Sequence, residues 1–321
     1  MKIGSMFAGI GGAELALSQV FSDAHPVWQN DLINHQVRVR HWPDALQIVQ
    51  DVRTVNAKEL PTIDLLTAGF PCQDLSTANK RKDKGGLDGK RSGLYQEVLR
   101  FTRTIRPQFV LMENVSELLN VIGRLTTDFR EIGYGLTYTV CEAMDAGLPH
   151  HRRRVFVLAE LDTYGRGQVY VDQSARWSHP THRTWLTATA TDHKTPAGFI
   201  RTNHPPARIG EQLFAEQGRR VNPDWMEPFM GYPIGWTDTN RTDEQSHKLP
   251  DPVKGRYPID WDTSVRWPGY DWEPERTLQN GPKFKGWVDR IAGIGNAWAP
   301  AQGALAIRAL MGRPTQQSLF V

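Results

Sequence analysis

Cysteine is scarce in this chain of 321 residues, which contains only Cys72 and Cys141. Because the two are far apart in sequence, no structural disulfide is predicted, and each cysteine needs its own explanation. Long apolar runs are also missing, since none approaches the roughly 20 residues of a membrane-spanning helix. The first residues lack the apolar core and the cleavage site of a secretory signal, so we expect a cytoplasmic protein without membrane contact.

Neither sign of charge is strongly in excess, because the net charge is +3 and the isoelectric point is about 8.8. The basic residues are nevertheless clustered. One cluster comprises Lys80, Arg81, Lys82, Lys84, Lys90 and Arg91, and a second extends from His150 to Arg154. A solvated charged face explains such clusters unless they flank reactive residues, in which case a polyanionic partner is the better interpretation.

The first half of the chain alternates short apolar segments with helical patterns. Strands are predicted at residues 3–7, 63–68, 109–112 and 155–158, with another around Tyr138 and Val140, and a helix is predicted at residues 94–105. This alternation predicts an α/β domain with a parallel, doubly wound sheet. Such sheets bind their ligands at the carboxyl ends of the strands.

Composition changes after about residue 161, where Pro, Trp, Thr, Arg and Asp become frequent and periodicity weakens. Nine of the eleven tryptophans follow residue 170, which argues against disorder because disordered segments are poor in aromatic residues. We therefore predict a small, loop-rich second lobe at residues 163–285. Apolar periodicity returns from Gly286, so residues 286–321 are predicted to rejoin the first domain, residues 1–162.

A glycine-rich turn, FAGIGG at residues 7–12, joins the first predicted strand to a helix. Such a turn lets the backbone approach a ligand, but it can equally serve packing. Asp31 follows the apolar pair Val27-Trp28 and could accept the hydroxyl groups of a ribose. Asp51 could accept from an adenine amino group. Either aspartate alone is explained as well by an ordinary turn.

Cys72 lies in the segment GFPCQDLS, directly after the predicted strand 63–68. A lone cysteine is more often a small buried residue, which is our interpretation of Cys141 in its apolar strand. Cys72 instead follows the stiff Pro71 and precedes a glycine-rich basic loop. Because basic surroundings favour the nucleophilic thiolate, Cys72 is the candidate nucleophile.

Charged side chains also flank two later strands. Glu113 and Asn114 follow strand 109–112, where a carboxylate either caps a helix or acts as an acid or base. Arg152 and Arg154 precede strand 155–158. Because they are two residues apart, their guanidinium groups point the same way on an extended segment and could bind one anion.

These segments, taken in order, resemble the signatures of the cytosine-C5 DNA methyltransferases of the Dcm-like bacterial or phage type. The signatures are FAGIGG, the PCQ around Cys72, the ENV at Glu113, the arginine pair and the GNA at Gly295, and the resemblance covers residues 1–160 and 286–321. It implies a Rossmann-like methyltransferase fold that uses S-adenosylmethionine. Residues 163–285 would then be the target-recognition lobe, inserted between two parts of the catalytic domain.

The resemblance also implies a reaction, in which a methyl group is transferred to carbon 5 of a cytosine flipped out of double-stranded DNA at a specific short sequence. Cys72 would form a covalent adduct with carbon 6, and Glu113 would bind N3 and the amino group of the base. Arg152 and Arg154 would fix the base and a nearby phosphate. No metal ion is implied.

Binding residues and partners follow from the same resemblance. The cofactor would be held by Phe7, Gly9, Ile10, Gly11, Gly12, Asp31, Leu32, Asp51, Val52, Gly69, Pro71, Asn296, Ala297 and Trp298. DNA would be contacted by Gln73, Ser76, Lys80, Arg81, Lys82, Lys84 and Arg91. We expect a monomer in the cytoplasm of a bacterium or a phage-infected host, with a cognate restriction endonuclease that is not a stable subunit.

Two positions depart from the family pattern. His150 stands where the arginine segment usually begins with glutamine, and because histidine also donates a hydrogen bond, we expect function to survive. Trp298 stands after GNA, where small aliphatic residues are usual. Its indole would either reshape the cofactor pocket or pack against the first helix.

Three other interpretations stay open. A nucleotide- or DNA-binding protein that has lost catalysis would have had no reason to keep Cys72, Glu113 and the arginine pair. A dehydrogenase would suit the glycine turn and Asp31, but it needs neither a reactive cysteine nor a basic loop. A related transferase that acts on RNA, or that has a modified cofactor pocket, shares all these features.

Overall fold

The computed structural model describes residues 1–71, 92–162, 185–194, 206, 208–240, 274–278 and 286–312. The chain divides into two units. Unit 1 consists of Met1–Cys141, Arg153–Arg176 and Gln302–Val321, and unit 2 consists of Glu142–Arg152 and Trp177–Ala301. Each unit is therefore assembled from segments that are distant in sequence.

Unit 1 contains a seven-stranded sheet. Its strands are β1 (Lys2–Met6), β2 (His25–Asn30), β3 (Leu46–Ile48), β4 (Leu65–Ala68), β5 (Phe109–Val115), β6 (Tyr134–Cys141) and β7 (Arg154–Leu161). Their order across the sheet is β3-β2-β1-β4-β5-β7-β6. The strands from β3 to β5 pair in parallel, whereas β7 is antiparallel to both β5 and β6.

Among the described residues, four helices connect these strands, namely α1 (Gly12–Ser18), α2 (His35–His41), α3 (Tyr95–Ile105) and α4 (Ile122–Glu131). Helix α3 buries Tyr95, Val98 and Phe101 on one face. It ends where Arg106 adopts a left-handed conformation, just before Pro107, whose ring is incompatible with a continuing helix. The aromatic rings of α3 pack on the sheet, with the centroids of Trp28 and Phe101 6.1 Å apart.

Unit 2 contains α5 (Ile209–Gln217), α6 (Pro223–Phe229), α7 (Trp287–Asn296) and the first residues of α8 (Pro300–Leu310). An ion cluster joins α6 to α7, because Nη2 of Arg290 lies 2.5 Å from a carboxylate oxygen of Asp224 and 2.9 Å from one of Glu227. Glu227 also accepts hydrogen bonds from the N–H groups of Gly235 and Thr237. These bonds satisfy a fully buried carboxylate.

The predicted α/β sheet is confirmed, but the prediction that it is wholly parallel is wrong at β7. Residues 142–153, which link β6 to β7, contain only a short 3-10 turn, whereas a parallel neighbour usually needs a helical crossover. Strand β5 is also longer than predicted and includes Glu113 and Asn114. In the described part of the chain, no helix is both long and apolar enough to cross a membrane. The functional division at residues 163–285 stays a prediction.

Candidate active site

The predicted cofactor residues of unit 1 follow adjacent strands. Residues 7–12 follow β1, Asp31 follows β2, Asp51 comes three residues after β3, and Gly69 follows β4. Because β3, β2, β1 and β4 are parallel neighbours, these segments meet at the carboxyl edge of the sheet.

The glycine turn after β1 has three left-handed residues, Phe7, Gly9 and Gly11, with φ angles of 55°, 57° and 86°. A Cβ atom on Gly11 would lie 2.1 Å from the ring of Trp42, so this position admits only glycine. A Cβ atom on Gly9 would instead meet no atom within 4 Å. The N–H of Gly9 donates to Oδ2 of Asp31 at 2.9 Å, so the turn contacts the acidic residue after β2 and leaves open space beside it.

Asp31 is held in a defined orientation at the end of β2. Its Oδ1 accepts from the N–H of Ile33 at 3.1 Å, while Oδ2 accepts from Gly9. The next side chain, Leu32, is 59% exposed, so an apolar surface lies beside a carboxylate. Asn30, which precedes Asp31, donates from Nδ2 to the carbonyl groups of Ile48 and Gln50 at 3.0 and 2.9 Å and thereby joins the ends of β2 and β3.

Asp51 is engaged by a neighbouring arginine. Its Oδ1 accepts from the N–H of Arg53 at 3.0 Å and from Nε at 2.9 Å. These hydrogen bonds from Arg53 lower the pKa of Asp51 to about 2, so its carboxylate is ionised at neutral pH. A ligand amino group would have to share this carboxylate with Arg53. The next residue, Val52, is buried.

Glu113 and Asn114 lie near the end of β5. Oε1 of Glu113 is 3.0 Å from Nε of Arg154, in the neighbouring strand β7. Nδ2 of Asn114 donates to the carbonyl of Phe70 at 3.1 Å, in a buried contact. Phe70 precedes Cys72 by two residues, so Asn114 fixes the backbone that leads to the candidate nucleophile.

Arg152 is buried in unit 2, and its guanidinium group contacts backbone carbonyls. Nη2 donates to Ala297 at 2.8 Å and to Gly295 at 3.4 Å, and Nη1 donates to Ala188 at 3.3 Å. Arg152 therefore stabilises the backbone of the GNA segment. Since Arg154 pairs with Glu113 in unit 1, the binding of one anion by both arginines stays a prediction.

The GNA segment itself is packed within unit 2. A Cβ atom on Gly295 would lie 2.1 Å from the backbone carbon of Thr189. Ala297 and Trp298 are buried, and the carbonyl of Trp298 accepts from the hydroxyl of Tyr232 at 2.7 Å, whereas Asn296 is exposed. Their predicted contact with a cofactor stays a prediction.

The two departures from the family pattern are both buried in unit 2. The ring of His150 stacks on that of Phe229, with the centroids 4.6 Å apart. Trp298 contributes its carbonyl to the contact with Tyr232. The side chain of His150 therefore has a packing partner within its own unit, and the backbone of Trp298 is fixed by Tyr232.

Several predicted residues lie outside the described part of the chain. They are Cys72 and the predicted DNA-binding residues Gln73, Ser76, Lys80, Arg81, Lys82, Lys84 and Arg91. Cys141 is described and is buried at the end of β6, where its carbonyl accepts from Nε2 of Gln302 at 2.7 Å. Its interpretation as a core residue is confirmed. Within the described segments, no three His, Cys, Asp or Glu side chains are grouped as a metal site would require.

Sequence reasoning missed three polar side chains behind this edge of the sheet. They are Asn30, the buried Arg38 of α2, and Arg100 of α3, which donates to the carbonyls of Val52 and Val55 at 2.9 and 3.1 Å. All three donate to backbone carbonyls, and Arg100 also pairs through Nε with a carboxylate oxygen of Glu97 at 2.7 Å. No sequence motif marks such contacts, because the acceptors are brought near only by the fold.

The sheet and the acidic and glycine-rich segments at its carboxyl edge define a Rossmann-like methyltransferase fold of the S-adenosylmethionine-dependent type. A family model described as C-5 cytosine-specific DNA methylase matches residues 1–208, more than half of the chain. The chain therefore belongs to the C-5 cytosine-specific DNA methylase family. This membership decides against the dehydrogenase interpretation.

Curated relatives include type II methyltransferases from several bacteria. M2.BsuMI of Bacillus subtilis (strain 168) is 30% identical over 264 residues, which are 74% of this chain and 66% of that protein. M.NgoFVII of Neisseria gonorrhoeae is 33% identical over 171 residues, which are 50% of this chain and 44% of that protein. M.HhaI of Haemophilus parahaemolyticus is 30% identical over 158 residues, which are 48% of this chain and 47% of that protein. The chain thus spans 66% of M2.BsuMI and about half or less of the other two.

Solved structures with the same fold include a DNMT2 variant of Spodoptera frugiperda, with a TM-score of 0.58 and 13% identity over 97% of this chain and 99% of that chain. The methyltransferase EhMeth of Entamoeba histolytica gives a TM-score of 0.57 and 14% identity over 97% and 98%. At such low identity, these likenesses establish the fold alone.

The C-5 DNA methyltransferase family uses S-adenosylmethionine as its methyl donor. The described residues fit this cofactor. The carboxylate of Asp31 could accept from ribose hydroxyl groups, and the exposed Leu32 beside it has an apolar surface that would suit an adenine ring. The open space beside Gly9 leaves room for a ligand against the glycine turn.

Proposed function

We propose that this chain transfers a methyl group from S-adenosylmethionine to carbon 5 of cytosine in double-stranded DNA, with Cys72 as the nucleophile. The observation that carries the proposal is the hydrogen bond from Asn114 to Phe70. It links the strand that bears Glu113 to the turn that leads into Cys72. Family membership and the type II methyltransferase relatives support the same activity.

The proposed chemistry begins at carbon 6 of the base, because carbon 5 of a conjugated cytosine ring is a weak nucleophile. The Cys72 thiolate forms a bond to carbon 6, which breaks the conjugation and moves electron density onto carbon 5. Glu113 binds N3 and the amino group and favours a protonated ring that accepts this charge, while Arg154 keeps its carboxylate oriented. S-adenosylmethionine, when bound, supplies an electrophilic methyl group. Loss of the proton on carbon 5 then restores the ring and expels the thiolate.

Cofactor binding is proposed for the residues at the carboxyl edge of unit 1. Asp31 accepts the ribose hydroxyl groups, and Leu32 covers the adenine. Asp51 accepts from the adenine amino group in addition to Arg53, since a carboxylate has room for further donors. Gly69 and Pro71 after β4 border the methyl group and the base.

DNA recognition is proposed for two parts of the chain, residues 76–93 and residues 163–285. The basic loop at residues 76–93 closes over a base flipped out of the helix and contacts phosphates. Residues 163–285 read the target sequence through base edges. The relatives are bacterial type II methyltransferases, which supports a bacterial or phage-infected cytoplasm as the location and a separate endonuclease of the same specificity as a partner.

The proposal is tested by trapping the covalent adduct. Fluorine at carbon 5 leaves no proton to remove after methyl transfer, so the thiolate cannot depart. The substrate is duplex DNA in which 5-fluorocytosine replaces cytosine throughout, so that the target sequence need not be known in advance. We expect the full chain and S-adenosylmethionine to give a protein–DNA band that survives denaturing gel electrophoresis.

Two serine variants locate the nucleophile. Cys72→Ser should abolish the band, because a hydroxyl group is a much weaker nucleophile than a thiolate near neutral pH. Cys141→Ser is the matched control and should keep the band, since Cys141 lies in the core at the end of β6. Loss of the band in Cys141→Ser but not in Cys72→Ser would refute the assignment. A wild-type chain that forms no band would refute the proposed activity.

A further inference from the structure

Helix α2 contains an arginine that is fully buried, which is rare for this residue type. The guanidinium group of Arg38 donates from Nη1 to the carbonyls of Gly9 and Ile33 at 2.8 and 2.7 Å. Nη2 donates to the carbonyl of Asp31 at 3.2 Å, and Nε donates to Oε1 of Gln47 at 3.0 Å. One side chain thus contacts the glycine turn, the segment after β2 and strand β3.

The three backbone acceptors belong to the glycine turn and to the segment after β2, which both face the proposed cofactor. The N–H of Gly9 donates to the side chain of Asp31, and Arg38 donates hydrogen bonds to the backbone carbonyl groups of the same two residues. We propose that Arg38 is the positioning residue that sets the geometry of the S-adenosylmethionine site. This inference rests on the proposed function and adds to it a residue that touches no ligand.

Arg38 is itself positioned by a buried chain of side-chain hydrogen bonds. Nε2 of Gln47 donates to Oε1 of Gln29 at 2.7 Å, and Nε2 of Gln29 donates to Oε1 of Glu14 at 2.5 Å. Gln29 and Gln47 are paired across β2 and β3, and Glu14 lies in α1, directly after the glycine turn. The chain of hydrogen bonds therefore begins at Arg38, which contacts the glycine turn, and ends at Glu14, just after that turn.

A purely stabilising role explains this arrangement poorly. Burying a charge costs free energy, and replacing a buried ion network by apolar side chains is often neutral or stabilising. Three carbonyls and an amide oxygen in different directions require several donors in a fixed fork, which arginine has and lysine lacks. The geometry therefore indicates that Arg38 serves to hold the backbone of the cofactor site in position.

The test measures S-adenosylmethionine binding to the full chain by titration calorimetry, without DNA. Arg38→Met keeps the volume and removes every donor. We expect the Kd to rise about 10- to 100-fold, the size of effect known when side chains behind metal ligands are replaced. Arg308→Met is the matched control, because Nη2 of Arg308 donates to the carbonyl of Gln19 at 2.8 Å, just past the far end of α1. Its Kd should equal that of the wild type.

A second measurement separates positioning from general stability. In steady-state assays, the KM for S-adenosylmethionine should rise in Arg38→Met, while the KM for DNA stays unchanged. A merely structural role would lower the folded fraction and kcat but leave the Kd of the folded protein unchanged, and that result would overturn the inference. If Arg38→Met does not fold, the same binding measurement is made on Arg38→Lys. A Kd raised about 10-fold is then expected, and an unchanged Kd would refute the inference. A wild-type chain that binds no S-adenosylmethionine would instead refute the proposed function.

Discussion

Asp192 is a buried carboxylate in unit 2, and its titration makes the free energy of unfolding depend on pH. It accepts from the N–H groups of Thr189 and Gly210 at 2.6 and 2.9 Å, yet burial raises its pKa from 3.8 to about 6. Between these values the folded chain binds more protons than the unfolded chain. The free energy of unfolding therefore falls as the pH rises through this window.

We predict that Asp192→Asn removes this slope. The free energy of unfolding of the wild type, relative to the variant, should fall by roughly 2 kcal/mol between about pH 4 and pH 6. Urea denaturation across this pH range measures the difference, and the hydrogen bond that the variant cannot form adds only a constant offset. Parallel pH curves for the two proteins would show that Asp192 does not titrate in this window.

Single residues at the site differed in how far they could be predicted. The place of Asp31 could be predicted from the sequence, because an acidic residue directly after an apolar strand lies at the carboxyl edge of a parallel sheet. Arg38 was not, because arginine in a helix is usually exposed and its acceptors are backbone carbonyls. The contacts of Arg152 with backbone carbonyls were not predicted either, because one acceptor, Gly295, lies 143 residues further along the chain. Only the fold brings such groups together.

At the scale of elements, α7 packs closely on the segment around Thr189, and Gly295 makes this approach possible. We predict that Gly295→Ala lowers the free energy of unfolding by about 1–3 kcal/mol, because its Cβ atom would lie 2.1 Å from the backbone of Thr189. Gly123→Ala in α4 is the control. Its Cβ atom would meet nothing within 4 Å, so alanine should stabilise the helix by about 0.5–1 kcal/mol.

Chemical denaturation of both variants measures this difference. Helix propensity alone favours alanine at both positions, since both glycines lie within helices. The two variants therefore differ in the space around the new methyl group. Equal stabilisation in both would mean that the backbone of α7 can move away from Thr189 without cost.

Strands were easier to predict than their direction. The continuous apolar runs of β4 and β5 are typical of strands buried on both faces, and both were located within a few residues. The antiparallel direction of β7 was missed, because its apolar run has the same composition in either direction. The direction depends on how residues 142–153 return to the sheet, and no periodicity in that segment marks the return.

At the scale of the whole molecule, the units are not continuous in sequence. Residues 142–152 belong to unit 2 although the strands on either side of them belong to unit 1. Spatial proximity decides this grouping, whereas composition changes only after about residue 161. Sequence analysis could therefore recognise that the later part of the chain differs, but not that a short segment before β7 belongs with it.

The net charge of +3 is too small to attract DNA by itself, so the proposed function requires a local concentration of charge. The basic loop supplies it. We predict that replacing Lys80, Arg81, Lys82 and Lys84 together by alanine weakens binding to every duplex sequence. The slope of log affinity against log salt should flatten by about 0.9 for each phosphate that the variant no longer binds.

The matched control removes the same charge elsewhere on unit 1. Alanine at the exposed positions Lys2, Lys58, Arg103 and Arg130 also lowers the net charge from +3 to −1. Binding of a labelled duplex, measured from roughly 50 to 200 mM salt, should then keep the wild-type slope, because released counterions reflect phosphate binding and not total charge. If both variants flatten the slope equally, the loop acts only through net charge. If neither does, the basic loop is a solvated face and phosphates are bound elsewhere on the chain.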